Sequence, residues 1–580
     1  MSVRFPSLPR RGLGVGLDVP WDGRSGFGRD RARGDALAPP LHSFLHLHAA
    51  AWSHAFFSWQ PRDRAAPRLA DYAAAWDDLS ATLPRSLPRG LHHTALNLGS
   101  MGAYRRGELL EFTAALCERY DLRWVNEDVG LWSLAGRPLP YPLPPLLTDE
   151  GLHATIVNTR ECQGGLPVPL VLEFPGFARG VSVVQGDWHA YDFFRVLAEE
   201  SSAPVTLDVG HLLSYQWWRG RRGDALFEEL DRLPLTHCCE LHLSGCEIQG
   251  TRFVDAHHGR LLDEQFVMLE QLLHVCPNLR AITFEDPRFD ENGAMTEDNQ
   301  PSWDRLVVAA ASWAREALDA PGVGAPSAPR WTSSSNISSA DDPEAALAQL
   351  LYERGGTQSP RSDAIVLDAC ELDEAAALVR TMVGARVHRG NGGLRDWYPM
   401  TLAAWSVAHP EDRALDAMLA QLCASSWCRE WRESTCVDPG LALEEALYRF
   451  FCELGVGDPS VREDEFLGAI TRALAVTPRA HVRWPAAMRR APGGCFAITE
   501  RLVLHAALDG SYRRGPVTPL IAALLCPELA PPGGVANAGQ PGEIERVAME
   551  LRAMRLLAWR GASSSRSAKP SRSSVDIVRA

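Results

Sequence analysis

The chain has 580 residues, too many for one ordinary hydrophobic core, so two or three domains are expected. Hydrophobic content is 46% and charged content 22%, both ordinary for a soluble globular protein. The net charge of -14 argues against a general phosphate-backbone binder, which needs a basic face, so no nucleic-acid partner is expected.

The N-terminal stretch MSVRFPSLPRRGLGVGLDVPW has no continuous apolar run of the kind an export signal carries. No segment approaches the roughly 18 apolar residues of a membrane span. The expected location is therefore the cytoplasm, with no membrane partner. The 13 cysteines are scattered without a CxxC pair, which points to reduced thiols rather than disulfides or a thiolate zinc site.

Residues 1–40 are rich in Gly, Pro and Arg and hold one short strand, LGVGLDVP. From 41 to about 318, short apolar runs alternate with helical patterns. GELLEFTAALCERY sets Leu109, Phe112 and Leu116 on one helical face, and DEQFVMLEQLL does the same with Phe266, Leu269 and Leu273. Between such helices lie GLHHTALNLG, RWVNEDVG, VPLVLEFPG, PVTLDVGH, CELHLSG and AITFEDP. Each is rich in Val, Leu or Ile and stopped by Gly or Pro, as buried parallel strands are. Repeated strand–helix units over this length give an α/β class, with a (β/α)8 barrel over 1–318.

The stretch 319–345 is dominated by Pro, Gly, Ser and Ala and reads as a flexible linker. Beyond it the apolar period becomes helical. DRALDAMLAQLC aligns Leu415, Met418, Leu419 and Leu422, and DPGLALEEALYRFFCEL aligns Leu443, Leu447, Phe450 and Leu454 behind Asp438 and Pro439 as a helix start. Residues 346–530 are expected to form a separate, mainly α-helical domain. Residues 531–580 add one amphipathic helix, EIERVAMELRAMRLLAWR, and a disordered Ser/Arg/Lys tail.

The ends of the barrel runs carry the chemistry. The first run ends after His92 and His93, and the second in Asn126, Glu127 and Asp128. The third carries Glu173, the fourth Asp208 and His211, the fifth Glu240 and His242, and the sixth Glu285 and Asp286. Just after the fifth, FVDAHHGRL supplies Asp255, His257 and His258. Each residue alone has an ordinary explanation: His92 or His93 as a hydrogen-bonded core histidine, Asp208 as a helix cap, the FVDAHHGRL cluster as a solvated loop. Barrel active sites sit at the C-terminal ends of strands, so the series would gather on one rim. So many carboxylates there would repel strongly without a cation. Imidazole with carboxylate and no thiolate suits iron, manganese or zinc, and the donor count suits two or three ions.

These motifs resemble the multinuclear non-haem iron-dependent oxidases, the DUF692 family, over roughly residues 13–315. LHHTALNLGS is similar to that family's LHGVGLSLGS and sets His92 on its first histidine ligand. LEFP is similar to LENP, giving Glu173; LDVGHLLSY to LDVNNVYV, giving Asp208 and His211; and ELHLSG to EIHLAG, giving His242. VDAHHG is similar to IDTHD, giving Asp255 and His257, and TFED to IEWD, giving Glu285. There are two departures. NEDVGLW stands where the family has SEHLAW, so Asp128 replaces a histidine ligand. The early EVHSENY motif has no counterpart, LHLHAAAW with His46 and His48 occupying its place.

The resemblance implies two or three iron ions in mixed Fe(II)/Fe(III) states. It also implies O2 as co-substrate and a ribosomally made precursor peptide as the molecule modified, with cysteine first among the residues attacked. Asp208, His211 and His258 are then assigned to the reacting centre, with His258 facing the substrate. The helical region after 346 stands where the family uses a separate helical partner, here fused in cis. Two other readings compete. A metal-dependent hydrolase or isomerase of the xylose-isomerase-like and apurinic endonuclease group gathers the same donors. However, the acidic chain disfavours the endonuclease, and no lysine in the six runs serves the isomerase. A non-catalytic scaffold is the third reading.

Overall fold

The computed structural model describes residues 3–18, 39–59, 69, 73–102, 104, 106–134, 137–177, 186–249, 252–257, 260–316, 343–353, 375–380, 397–410, 414–434, 442–476, 488–491, 494–499, 502–507, 512–526, 534–554 and 556–557. The linker expected at 319–345 lies outside these up to residue 342, and so does the tail beyond 557.

Eight parallel strands close into a barrel. In chain order the strands of this region are β1 (Gly12–Asp18), β2 (Ala55–Trp59), β3 (Arg89–His93), β4 (Trp124–Asp128), β5 (Leu131–Leu134), β6 (Arg137–Leu143), β7 (Leu170–Glu173), β8 (Val205–Asp208), β9 (Cys238–Leu243), β10 (Cys246–Gln249), β11 (Arg252–Asp255) and β12 (Ala281–Glu285). Around the barrel the order is β1, β2, β3, β4, β7, β8, β9, β12 and back to β1. β5–β6 and β10–β11 are antiparallel hairpins inserted after β4 and β9. The connecting helices are α1 (Pro39–His48), α2 (Ala73–Thr82), α3 (Gly107–Tyr120), α4 (Asp149–Gly165), α5 (Ala190–Ser201), α6 (Val209–Trp218), α7 (Asp263–Val275) and α8 (Gln300–Glu316).

Local signals explain why these helices begin and end where they do. Thr148 Oγ1 accepts from Gly151 N at 3.1 Å and caps α4, with Asp149 and Glu150 in the first turn. α3 stops where Asp121 turns left-handed at φ 53°. The strands are buried on both faces because helices cover the outside and side chains fill the inside. Phe56 and Trp124 reach across the lower interior with Leu8, Val171 and Cys239. Gly16 and Gly90 leave them room, since a Cβ at either position would overlap the Phe56 or Trp124 ring.

One further helix, α9 (Pro343–Ala348), packs within this unit. Glu344 accepts from the amides of Met101 (2.7 Å) and Gly102 (2.9 Å) and from Ser100 Oγ (2.9 Å), in the loop that follows β3. The chain divides into compact units at 1–378 and 379–580, so residues 343–353 belong with the barrel rather than with a linker and second domain meeting at 346.

The second unit contains the helices Pro399–Ala408, Ala414–Ala424, Ser426–Ser434, Leu443–Glu453, Pro459–Val476, Pro519–Leu525 and Pro541–Ala553. Trp397, Tyr398, Trp405, Leu447, Phe450 and Ile470 form its core. It also holds a four-stranded antiparallel sheet, Met488–Ala491, Gly494–Ile498, Leu502–Ala507 and Tyr512–Pro516, which the helical pattern of the sequence does not announce. No helix among the described residues is long and apolar enough to cross a membrane.

Candidate metal centre

Successive side chains on a strand face opposite ways, so the pair at the end of β3 is split. His93 points outward: its Nδ1 lies 3.0 Å from Glu127 Oε2 and its Nε2 3.0 Å from Thr113 Oγ1 of α3. It is a core histidine, and Glu127 is its structural partner. His92 points inward, its Nε2 2.9 Å from Glu173 Oε2 and 4.0 Å from Glu285 Oε1. From β9, His242 Nδ1 lies 3.1 Å from Glu173 Oε1 and 2.9 Å from Glu285 Oε1. His92, Glu173, His242 and Glu285 thus offer donor atoms that all lie within 4.8 Å of one another.

A second group stands beside the first. Asp255, ending β11, presents Oδ2 to His211 Nε2 at 3.2 Å and to His257 Nε2 at 2.9 Å. Its other oxygen accepts from Ser244 Oγ at 2.7 Å. His257 Nδ1 faces Asp286 Oδ2 at 3.3 Å. His257 and Asp286 both adopt left-handed φ, 49° and 45°, a conformation that costs a non-glycine residue roughly 1–3 kcal/mol and persists where the surroundings impose it. Asp128, Glu173 and His211 form a third group. It shares Glu173 with the first and His211 with the second. His211 Nδ1–H donates to the Phe174 carbonyl at 2.7 Å, which commits that nitrogen and leaves Nε2, the atom facing Asp255, as the one that could turn a lone pair to an ion once deprotonated. This favours the second group over the third for His211.

Asp208 ends β8 and caps α6, its Oδ1 accepting from His211 N at 2.7 Å. The cap uses one oxygen only. Asp208 Oδ2 and Asp128 Oδ1 are buried carboxylate oxygens with no hydrogen-bond partner among the described residues. Such atoms are costly unless a cation answers them, and the set of imidazoles and carboxylates around them suits one. Asn126 Nδ2 donates to Glu173 Oε2 and so fixes that carboxylate from behind.

The electrostatics follow from this crowding. Burial would raise Glu173, but the imidazoles of His242 and His92 outweigh it and hold it well below the ordinary carboxylate value. Burial would lower His92, but Glu173, Asp128 and Glu285 together push it up to about 9. Burial, reinforced by the neighbouring carboxylates, raises Asp128 to about 6 and Asp208 to about 7. Without a cation, imidazolium charges stand in for it. Phe56 closes the floor, its ring centroid 4.8 Å from that of His242 and 5.2 Å from that of His92.

Residues 70–297 match the family model described as "RiPP precursor modification enzyme MbnB/TglH/ChrH". Over that stretch the barrel is similar to that family. The match spans β3 to β12 and so takes in every residue of the three donor groups. The family is one of enzymes that modify ribosomally made peptide precursors. No curated protein matches the chain. Among solved structures, the chain is similar to D-psicose 3-epimerase from Clostridium cellulolyticum H10, at 13% identity over 53% of this chain and 100% of that one, with a TM-score of 0.31. It is also similar to GH5_18 from Bifidobacterium longum subsp. longum ATCC 55813, at 11% identity over 54% and 80%, with a TM-score of 0.32.

The structure therefore brings together His92, Asp128, Glu173, Asp208, His211, His242, Asp255, His257 and Glu285 on the barrel rim. His258 lies outside the described residues. His48 Nε2 donates to the Gly293 carbonyl at 3.1 Å, and His46 packs on His42, so neither joins a donor group. Sequence reasoning missed His54, which immediately precedes β2 and is buried inside the barrel. Its signal was weak because attention to strand ends passes over a histidine at a strand start.

Proposed function

We propose that the chain is an iron- and O2-dependent oxidase that modifies a residue of a ribosomally made precursor peptide, with cysteine as the residue. The observation that carries this reading is the set of three donor groups on one barrel rim, two of them sharing Glu173. The family match supports the peptide as substrate. On this reading His92, Glu173, His242 and Glu285 hold one ion, and His211, Asp255 and His257 a second. Asp128, with Glu173, is the place for a third. Bound iron supplies the redox chemistry that lets O2 act on an otherwise unreactive peptide.

The chain's own residues do the rest. The Phe174 carbonyl fixes the His211 tautomer, and Ser244 fixes the rotation of Asp255. Phe56 keeps water from entering below. His257 is the most open of the donors, so substrate enters on its side, and His258, the next residue, is kept as the group facing it. Asp208 and His211 belong to the reacting centre. The unit 379–580 acts as the peptide-binding partner, fused in cis, and the enzyme works in the cytoplasm.

The test is direct. Protein purified without oxygen should contain two or three irons per chain. Adding air and a cysteine-bearing precursor peptide should consume O2 and change the peptide mass. Zinc or manganese in place of iron, with no oxygen uptake, would refute the oxidase reading.

A further inference from the structure

The donor groups account for the rim but not for the buried polar residues beneath it. On β9, Glu240 and His242 are two residues apart and share the inner face. The His242 ring turns Nδ1 toward Glu285 and Glu173, so its Nε2 points down the barrel. There it meets Glu240 Oε1 at 3.5 Å, too long for a hydrogen bond. Neither His242 Nε2 nor Glu240 Oε2 has a hydrogen-bond partner among the described residues, and both side chains are fully buried. A small shift would close this contact and satisfy the imidazole.

Glu240 is itself held from below. Thr283, paired with His242 in register on β12, donates its hydroxyl to Glu240 Oε1. The hydroxyl proton is thereby committed, so His54 Nε2–H donates to Thr283 Oγ1 at 2.8 Å, and the same nitrogen lies 3.4 Å from Glu240 Oε1. His54 Nδ1 is 2.8 Å from Ser53 Oγ. β1 keeps a glycine where His54 passes, since a Cβ on Gly14 would overlap the imidazole. A file of polar groups, Ser53–His54–Thr283–Glu240, thus rises through the barrel and ends at His242.

We propose that Glu240 is a positioning residue for the centre. It takes the His242 Nε2–H and so presents the Nδ1 lone pair to the ion held with His92, Glu173 and Glu285, while Thr283 and His54 keep the carboxylate in place. A metal-bound imidazole gains basicity and a fixed tautomer from such an acceptor, and losing one typically costs 10–100-fold in metal affinity. The proposal rests on the reading of these four residues as a metal site.

The experiment is a titration of the metal-free full-length protein with Co(II), read by bound metal and by the visible spectrum. Glu240→Ala should weaken one ion roughly 10–100-fold and shift its spectrum, with the other ions unchanged. Glu240→Gln, which keeps an acceptor oxygen, should recover most of the affinity. Thr283→Val leaves the carboxylate in place and should give a smaller loss in the same direction, which keeps the idea testable if the alanine variant folds poorly. His242→Ala separates the two claims. If it loses an ion while Glu240→Ala and Thr283→Val titrate like the unaltered chain, the positioning role is wrong. If it titrates like the unaltered chain, the metal reading itself is wrong. Equal losses in the Gln and Ala variants would also overturn the positioning role.

Discussion

Glu173→Gln is the most informative single change at the centre. The substitution keeps the size of the side chain and removes its charge. Glu173 contacts His92 at 2.9 Å and His242 at 3.1 Å, and it belongs to two of the three donor groups. Asp255 belongs to one. If each group holds an ion, Glu173→Gln weakens two and Asp255→Asn weakens one. The metal-free protein should respond as well. Removing one partner of a buried ion pair costs roughly 3–5 kcal/mol when the other stays charged. His92, held up near 9 chiefly by Glu173, loses that support in the variant and sheds its proton at neutral pH, which softens the loss. Metal content after oxygen-free purification, with denaturant midpoints of the metal-free forms, reads both effects. A Glu173→Gln protein with the metal count of the unaltered chain would refute the shared-donor arrangement, as would a greater metal loss from Asp255→Asn.

Other outcomes follow from the same geometry. Asp128→His should retain metal with an altered spectrum, whereas Asp128→Ala should lose up to one ion; unchanged content and spectrum in the alanine variant would remove Asp128 from the ligands. The metal-free protein should lose stability as pH rises from about 4 to about 9, because Asp128, raised to about 6, Asp208, raised to about 7, and His92, raised to about 9, each keep a proton in the folded state over a range where the unfolded chain has released it. Metal affinity should rise over the same range, because the ion needs those groups deprotonated; calorimetric unfolding and metal titration across pH check both signs. Glu344→Ala should release residues 343–353 from the barrel at a cost of about 2–3 kcal/mol, read as faster hydrogen exchange in that segment alone. A barrel ending after residue 378 should keep its metal but modify peptide poorly until residues 379–580 are added; equal turnover without them would give that unit another task.

The donor set was legible because metal chemistry constrains residue type and barrel geometry constrains place. Carboxylates and histidines at the ends of Val- and Leu-rich runs could be read without any contact information. β2 was not legible. AFFSW ends in no charged residue and follows a His-rich helix and the short turn Ala49–Ala51, so nothing marked it as the missing strand. The hairpin β5–β6 was hidden by the prolines of GRPLPYPLPP, which argue against pairing when read alone. The sheet over 488–516 was hidden because MRRA and YRRGP lack an apolar face by themselves and gain one only beside GCFAI and LVLHAA. Glu344 looked like a linker residue because its partners lie in a loop near residue 100, a contact no local pattern encodes.

The four donors of the first group come from β3, β7, β9 and β12, strands spread around much of the barrel's circumference and most of its length of chain. No short peptide contains enough of them to hold an ion, so the metal cannot nucleate this fold as it does a zinc finger. The barrel must close first, with protons occupying the place of the cations. A metal ion would then be a late arrival in a finished protein, able to bind only once these four strands are brought together.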